Sequence, residues 1–238
     1  MPEVVFQDAA FERAFREKYG FSGVIYESDI LAVINLDLSS CSLTDISDIA
    51  MFKNLTVLSL PNNQISDISV LSGLTKLTRL ELLSNQINDI SALSGLKELM
   101  VLWLDQNQIG DISVLRELTK LTNLSLDDNQ ISDISVLSGL TNLTKLYLNN
   151  NQIRNISVLS GLTKLTRLEL RSNQINDVSA LSGLKELTVL WLDQNQISDI
   201  SALSGLTKLT ELWLGGNAIS EQQIKDLRSK LPNCVIYY

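Results

Sequence analysis

An asparagine recurs every 22 residues through most of this chain of 238 residues, and no other feature restricts its fold as strongly. A fixed period of this length indicates a repeat architecture, in which each unit buries its apolar face against its neighbours. Cys41 lies one period before the first of these asparagines. The spacing does not slip at any of the eight positions, which are Asn63, Asn85, Asn107, Asn129, Asn151, Asn173, Asn195 and Asn217.

Apolar residues keep a constant pattern around each asparagine, L-x-x-L-x-L-x-x-N-x-I. Leu80 and Leu82 alternate with polar residues, so they point to one side of a short strand. Three apolar positions then follow at a spacing of three, as in Ile90, Leu93 and Leu96, and this spacing predicts a 3₁₀-type return. Successive repeats therefore add parallel strands. The asparagine lies where each strand turns away, where its amide can pair with backbone groups that the turn leaves unpaired.

Two polar columns accompany each return and are predicted to be structural. A serine two residues after the aspartate position is expected to form a local hydrogen-bonding ladder. The aspartate itself suits the capping of unpaired backbone N–H groups at the start of the return. It recurs as Asp67, Asp89, Asp111, Asp133, Asp177 and Asp199.

The units "LTKLTRLELLSNQINDISALSGL" and "LTNLTKLYLNNNQIRNISVLSGL" resemble the 22-residue leucine-rich repeats of bacterial internalins. The resemblance covers residues 33–219. It implies an α/β leucine-rich repeat solenoid, with a curved parallel β-sheet on the concave face and 3₁₀-type returns on the convex face. It also implies a helical N-terminal cap, a C-terminal cap made of a helix and a strand, and recognition of proteins by the concave face.

The chain is expected to be a single domain over residues 1–238, complete with both caps. Residues 1–32 form the N-terminal cap, in which Asp8 begins a helix. Nine repeats occupy residues 33–219, and residues 220–238 form the C-terminal cap.

The C-terminal cap begins with a capping-box pattern at Ser220 and Gln223. Leu231, Cys234 and Ile236 fall on the three strand-leucine columns of the repeat. The sequence therefore predicts a tenth strand over the last repeat, in the same 22-residue register. Both cysteines are predicted to be free thiols in core columns.

Aromatic residues concentrate in one column, four residues before the repeated asparagine. Between residues 53 and 233 the column contains every aromatic residue of the chain. Because the column alternates with the core leucines, it faces outwards, and we expect it to bind a partner. Strand propensity alone would also favour aromatic residues there. The predicted contact residues are Trp103, Tyr147, Trp191 and Trp213, with the charged neighbours Glu81, Glu169, Asp105, Asp127, Asp193, Arg79, Arg167 and Arg171.

The charges on this face suggest the kind of partner. Acidic residues outnumber basic ones, which favours a protein or peptide with exposed lysine or arginine. The aromatic column could equally pair two copies of the chain into a homodimer. Asp105 and Asp127 lie in one column, but a shallow exposed face suits neither catalysis nor a metal ion, and no metal site is predicted.

Composition excludes several other functions. The chain has no histidine and only two cysteines, which removes Ser-His-Asp catalysis and cysteine–histidine zinc sites, so we predict no enzyme and no cofactor. A net charge of −8 argues against nucleic acid and against a polybasic membrane contact. No apolar run is long enough to span a membrane.

Residues 71–113 and 159–201 match at all but four positions, so Glu81, Trp103 and Asp105 recur as Glu169, Trp191 and Asp193. The duplication could reflect a recent copying event or repeat shuffling by an engineer.

The sequence therefore favours a protein- or peptide-binding module without catalysis. Two alternatives remain open: an engineered repeat scaffold without a natural partner, and an intracellular regulatory subunit similar to the 22-residue-repeat regulator of a phosphatase. The absence of a signal peptide and the free cysteines predict a cytoplasmic protein. A mature internalin-like fragment would instead be secreted or displayed at the cell surface.

Overall fold

A computed structural model describes residues 2–238 and places them in two compact units, one ending at Lys120 and the other formed by Leu121–Tyr238. The prediction of a single domain stays a prediction. The first unit begins with helices α1 (Ala9–Tyr19) and α2 (Glu27–Ala32). Its strands are β1 (Asn35–Asp37), β2 (Val57–Ser59), β3 (Arg79–Glu81) and β4 (Val101–Trp103). Each is followed by a 3₁₀ return, at Ser47–Met51, Ser69–Gly73, Ser91–Gly95 and Ser113–Glu117.

The second unit repeats the same alternation and ends in a helix and a strand. Its strands are β5 (Asn123–Ser125), β6 (Lys145–Tyr147), β7 (Arg167–Glu169), β8 (Val189–Trp191), β9 (Glu211–Trp213) and β10 (Val235–Tyr237). Its 3₁₀ returns are Ser135–Gly139, Ser157–Gly161, Ser179–Gly183 and Ser201–Gly205, and helix α3 spans Glu221–Lys230.

Within each unit, every strand pairs in parallel with the next one along the chain. Leu80 lies opposite Leu102 in the first unit, and Leu146 lies opposite Leu168 in the second. Both pairs are 22 residues apart, so the sequence period is also the register of the sheet. The predicted class, a leucine-rich repeat solenoid of parallel strands and 3₁₀ returns, is confirmed.

The apolar columns form the core, as predicted. Leu80, Leu82, Ile87, Leu93 and Leu96 of one repeat are all completely buried. Burying each such side chain contributes about 1.5–3 kcal/mol relative to leaving it exposed. Because every repeat contributes the same set, burial is spread evenly along each unit.

The repeated asparagine connects two successive repeats. The Asn85 amide donates to the carbonyls of Leu60 and Leu82, both at 3.0 Å, and its Oδ1 accepts the N–H of Ile65 at 3.0 Å. The residue before it, Ser84, has a left-handed backbone with φ of 56°. That conformation is costly for a residue other than glycine. The asparagine therefore stabilises a sharp turn that the chain would not otherwise adopt.

The aspartate column caps the returns, again as predicted. The Asp67 carboxylate accepts the backbone N–H of Ser69 at 2.8 Å, and this hydrogen bond lowers the pKa of Asp67. Asn155 takes the same role in its repeat and accepts from Ser157 at 2.9 Å.

The N-terminal cap begins as the sequence indicates, because Asp8 accepts the N–H of Phe11 at 2.6 Å. Two further contacts attach the cap to the first repeat. The buried Asp48 accepts the backbone N–H groups of Gln7 and Asp8, each at 2.9 Å. The Tyr19 hydroxyl accepts the N–H of Asp37 and donates to the carbonyl of Asn35, which pairs the outer edge of β1.

The C-terminal strand exists, but its predicted register is wrong by two residues. Ile236 lies opposite Leu212 and Tyr237 opposite Trp213, an offset of 24 rather than 22. The cause is helix α3, which has ten residues where each return has five. Cys234 is consequently half-buried and lies outside the strand-leucine column, so the prediction of a core position is wrong for this cysteine. Cys41 keeps its place one period before Asn63 and is half-buried there. Both are free thiols, and burial raises the pKa of Cys234 to about 11.

We expect Asn85→Ala to lower the free energy of unfolding by at least about 2 kcal/mol, because the buried N–H of Ile65 loses its acceptor and the carbonyls of Leu60 and Leu82 each lose one of their donors. Urea unfolding followed by circular dichroism measures the change. Asn88→Ala is the matched control, since Asn88 is exposed in the same repeat. Equal unfolding midpoints for the two variants would contradict the role given to the asparagine ladder.

Asp48→Ala should release the N-terminal cap from the first repeat, because two backbone N–H groups lose their acceptor. Hydrogen exchange should then accelerate in residues 3–20 while the strands β6–β9 keep their protection. Asp48→Asn retains one carbonyl oxygen and should give an intermediate rate. Unchanged exchange in Asp48→Ala would show that other contacts hold the cap.

Candidate functional site

The strand face, meaning the side of the strands that points away from the core, carries the predicted aromatic column. Leu102, Leu190 and Leu212 are fully buried, and the residues that follow each of them point the opposite way. The aromatic side chains Trp103, Tyr147, Trp191 and Trp213 are accordingly all partly exposed.

In the first unit, an arginine of the same chain already covers Trp103. The Arg79 guanidinium carbon lies 4.4 Å from the centre of the Trp103 ring. Arg79 also pairs with Glu81, which accepts a hydrogen bond from the Ser59 hydroxyl at 2.7 Å. The ring, the cation and the carboxylate therefore form one local network in this unit.

In the second unit, Arg167 has the corresponding role between two rings. Its guanidinium carbon lies 5.3 Å from the Trp191 ring and 5.8 Å from the Tyr147 ring. Arg167 pairs with Glu169 at 2.6 Å, and the Asn149 amide donates to the same carboxylate at 2.8 Å. Glu169 is only 4% exposed, so this predicted contact residue lies beneath its neighbours.

Three aromatic side chains of the second unit lie on consecutive strands, and we call Trp191, Trp213 and Tyr237 the aromatic row. The Trp191 and Trp213 ring centres are 5.9 Å apart at 59°, and Tyr237 stacks on Trp213 at 4.1 Å and 20°. Sequence reasoning missed Tyr237 because the longer C-terminal helix shifts it out of the 22-residue count. The length of the Ser220–Leu231 helical pattern was the signal that could have revealed the shift.

Glu211 fixes the two indoles of the aromatic row. Its Oε1 accepts the indole N–H of Trp213 at 2.7 Å and that of Trp191 at 2.9 Å. These two hydrogen bonds lower the pKa of Glu211. Glu211 is not among the predicted site residues, although it precedes Trp213 by two positions and so shares its side of β9.

The remaining predicted residues lie just past the strands. Arg171 pairs with Asp193 at 3.0 Å, and Asp193 is 8% exposed with its Oδ1 buried and without a hydrogen-bond partner. Burial raises the pKa of Asp193, although the nearby Arg171 acts in the opposite direction. Asp127 belongs to the second unit and accepts the N–H of Asn149 at 2.7 Å, whereas Asp105 belongs to the first.

The structure supplies no cluster of metal ligands. Among residues 2–238 there is no group of three or more histidine, cysteine, aspartate or glutamate side chains that could hold a metal ion. None of the helices in the described part of the chain is long and apolar enough to cross a membrane.

The repeats identify the family. The family described as Leucine Rich repeats (2 copies) matches eight overlapping windows that together cover residues 32–233. The chain therefore belongs to the leucine-rich repeat family. The windows are 32–73, 53–95, 75–117, 97–139, 119–161, 141–185, 163–205 and 185–233.

Solved structures place the chain beside the internalins. Internalin C2 from Listeria monocytogenes is 35% identical, with a TM-score of 0.68 over 97% of this chain and 93% of that one. The chain is thus an internalin-like leucine-rich repeat protein. A search of curated protein sequences found no match.

Two more distant structures share the fold alone. The functional domain of InlJ from Listeria monocytogenes is 21% identical, with a TM-score of 0.66 over 98% of this chain and 59% of that one. The ectodomain of the plant receptor kinase GASSHO1/SCHENGEN3 from Arabidopsis thaliana, in complex with Casparian strip integrity factor 2, is 24% identical. Its TM-score is 0.73 over 90% of this chain and 28% of that one.

The hydrogen bonds to Glu211 predict a pH-dependent tryptophan signal. Because the folded protein holds the pKa of Glu211 below its usual range, the indole contacts persist at neutral pH and are lost as the pH falls through that lowered value. Tryptophan fluorescence should therefore show an acid transition below the pH at which an unperturbed glutamate titrates. Glu211→Gln should abolish it, and Glu186→Gln should not. Survival of the transition in Glu211→Gln would contradict this assignment.

Proposed function

We propose that this protein is a protein- or peptide-binding module whose main contact surface is the aromatic row on the strand face of the second unit. The observation that carries the proposal is the set of three partly exposed aromatic side chains on the consecutive strands β8, β9 and β10. Large exposed apolar surface on a folded protein commonly marks an interaction site. No catalytic role is proposed.

The chemistry of the row suits a binding hot spot. Tryptophan and tyrosine dominate interface energetics, and truncation of such residues often costs at least about 2 kcal/mol. Here Glu211 fixes both indoles and Tyr237 stacks on Trp213, so the rings are already ordered before a partner arrives. Side chains that are ordered before binding lose less conformational entropy when the complex forms.

The surroundings of the row extend the apolar surface. Val235 is 55% exposed and Tyr237 is 43% exposed. Both belong to β10 and share one side of that strand, so they add apolar surface next to the two indoles. The complex of the plant receptor ectodomain with Casparian strip integrity factor 2 supports the use of this fold for ligand recognition.

We expect Trp191→Ala/Trp213→Ala to weaken partner binding at least about 30-fold, which is the equivalent of about 2 kcal/mol. Proteins captured from a bacterial lysate on the wild type are identified and purified, and their affinity is then measured by calorimetry. Asn88→Ala is the matched control, because it changes an exposed side chain outside the strand face. A captured protein that binds the double variant as tightly as the wild type would refute the proposed surface.

A second copy of the chain is a competing occupant of the same surface. Light scattering coupled to size-exclusion chromatography distinguishes the two cases on the same variants. A wild-type dimer that becomes a monomer in Trp191→Ala/Trp213→Ala would assign the row to self-association. A monomer in both would leave the row for a different partner.

A further inference from the structure

We propose that Glu211 is the receptor for a basic side chain of the partner, which its carboxylate binds beside the two indoles of the aromatic row. This inference rests on the proposed function and specifies the chemistry of the ligand at that surface.

Glu211 differs from the other glutamate of this face in the second unit, Glu169, and from Asp193 in having no salt-bridge partner. Glu169 pairs with Arg167, and Asp193 pairs with Arg171. Within residues 2–238, neither a lysine nor an arginine forms a salt bridge with Glu211, and Arg167, which is paired with Glu169, attracts it only from beyond ion-pair distance. The hydrogen bonds of Glu211 are the two from the indoles. A negative charge on the binding surface is therefore left for a partner to neutralise.

The indoles also orient this charge. Both N–H groups donate to the same oxygen, Oε1, so Oε2 keeps its acceptor capacity. The carboxylate is held by two donors and needs little reorganisation when a cation arrives. The same two hydrogen bonds keep the group ionised, because they lower its pKa.

Apolar residues flank Glu211 on both neighbouring strands. Val189 lies opposite it on β8 and Val235 lies opposite it on β10. These valines provide a surface for the methylene groups of an arginine or lysine side chain.

The ring faces are less suitable for a basic side chain. Arg167 already lies over Trp191, and Tyr237 covers one face of Trp213. A second cation over Trp191 would meet the charge of Arg167. Glu211 is therefore the position beside the aromatic row where a basic side chain meets an opposite charge.

The probe is Nα-acetyl-arginine amide, with Nα-acetyl-citrulline amide as its neutral counterpart of almost the same shape. Nuclear magnetic resonance follows the three indole N–H signals during each titration. We expect the arginine derivative to shift the Trp191 and Trp213 signals saturably, with a dissociation constant of about 1–10 mM. The Trp103 signal is an internal control and should stay unchanged.

Glu211→Gln should weaken binding of the arginine derivative about tenfold, because the amide oxygen can still accept from the indoles but the charge is gone. Glu186→Gln, in the same unit, should bind like the wild type. Three results would each overturn the proposal: equal shifts with citrulline, undiminished binding to Glu211→Gln, or no saturable shift of the wild-type indoles at about 50 mM.

The outcome separates this inference from the proposed function. If Trp191→Ala/Trp213→Ala loses the captured partner while Glu211→Gln binds that partner as tightly as the wild type, the aromatic row is the interface and the basic side chain is refuted. If both variants bind the partner normally, the proposed surface fails as well.

Discussion

The asparagine ladder is the interaction on which the rest of the structure depends. Each strand has only three residues and could not hold its register through its own hydrogen bonds. Asn85 joins its repeat to the previous one through carbonyls of both and through the N–H of Ile65, and it does so beside a residue with a left-handed backbone. Because the same contacts recur every 22 residues, side chains at equal positions in successive repeats align in columns.

Those columns decide what the strand face offers. Most of its charges are satisfied within the chain: Arg79 and Arg167 lie over tryptophan rings and pair with glutamates of their own strands. Charged groups that are paired in this way keep the face soluble and ordered, but they are less available to bind a ligand. What remains available in the second unit is the aromatic row together with Glu211, whose carboxylate accepts the N–H groups of both indoles and forms no salt bridge.

The sequence predicted the fold well because one period specified the strands, the turns and the core together. It also placed the aromatic column on the correct side of the strands. It could not predict the burial of Glu169 and Asp193. Their burial depends on the way in which long side chains from neighbouring strands cover them. It missed Tyr237 for a different reason, because a helix replaces a 3₁₀ return and changes the number of residues between strands.

The near-identical segments 71–113 and 159–201 show what a repeat array makes available to evolution. Glu81 hydrogen-bonds to a serine hydroxyl of the preceding repeat, whereas its copy Glu169 hydrogen-bonds to the amide of Asn149. Trp191 lies beside another tryptophan because of the repeat that follows it. The chemistry of a surface position thus belongs to the junction between two modules, and reordering unchanged modules creates new junctions. An array of this kind can diversify its surface by recombination alone, without a single point mutation.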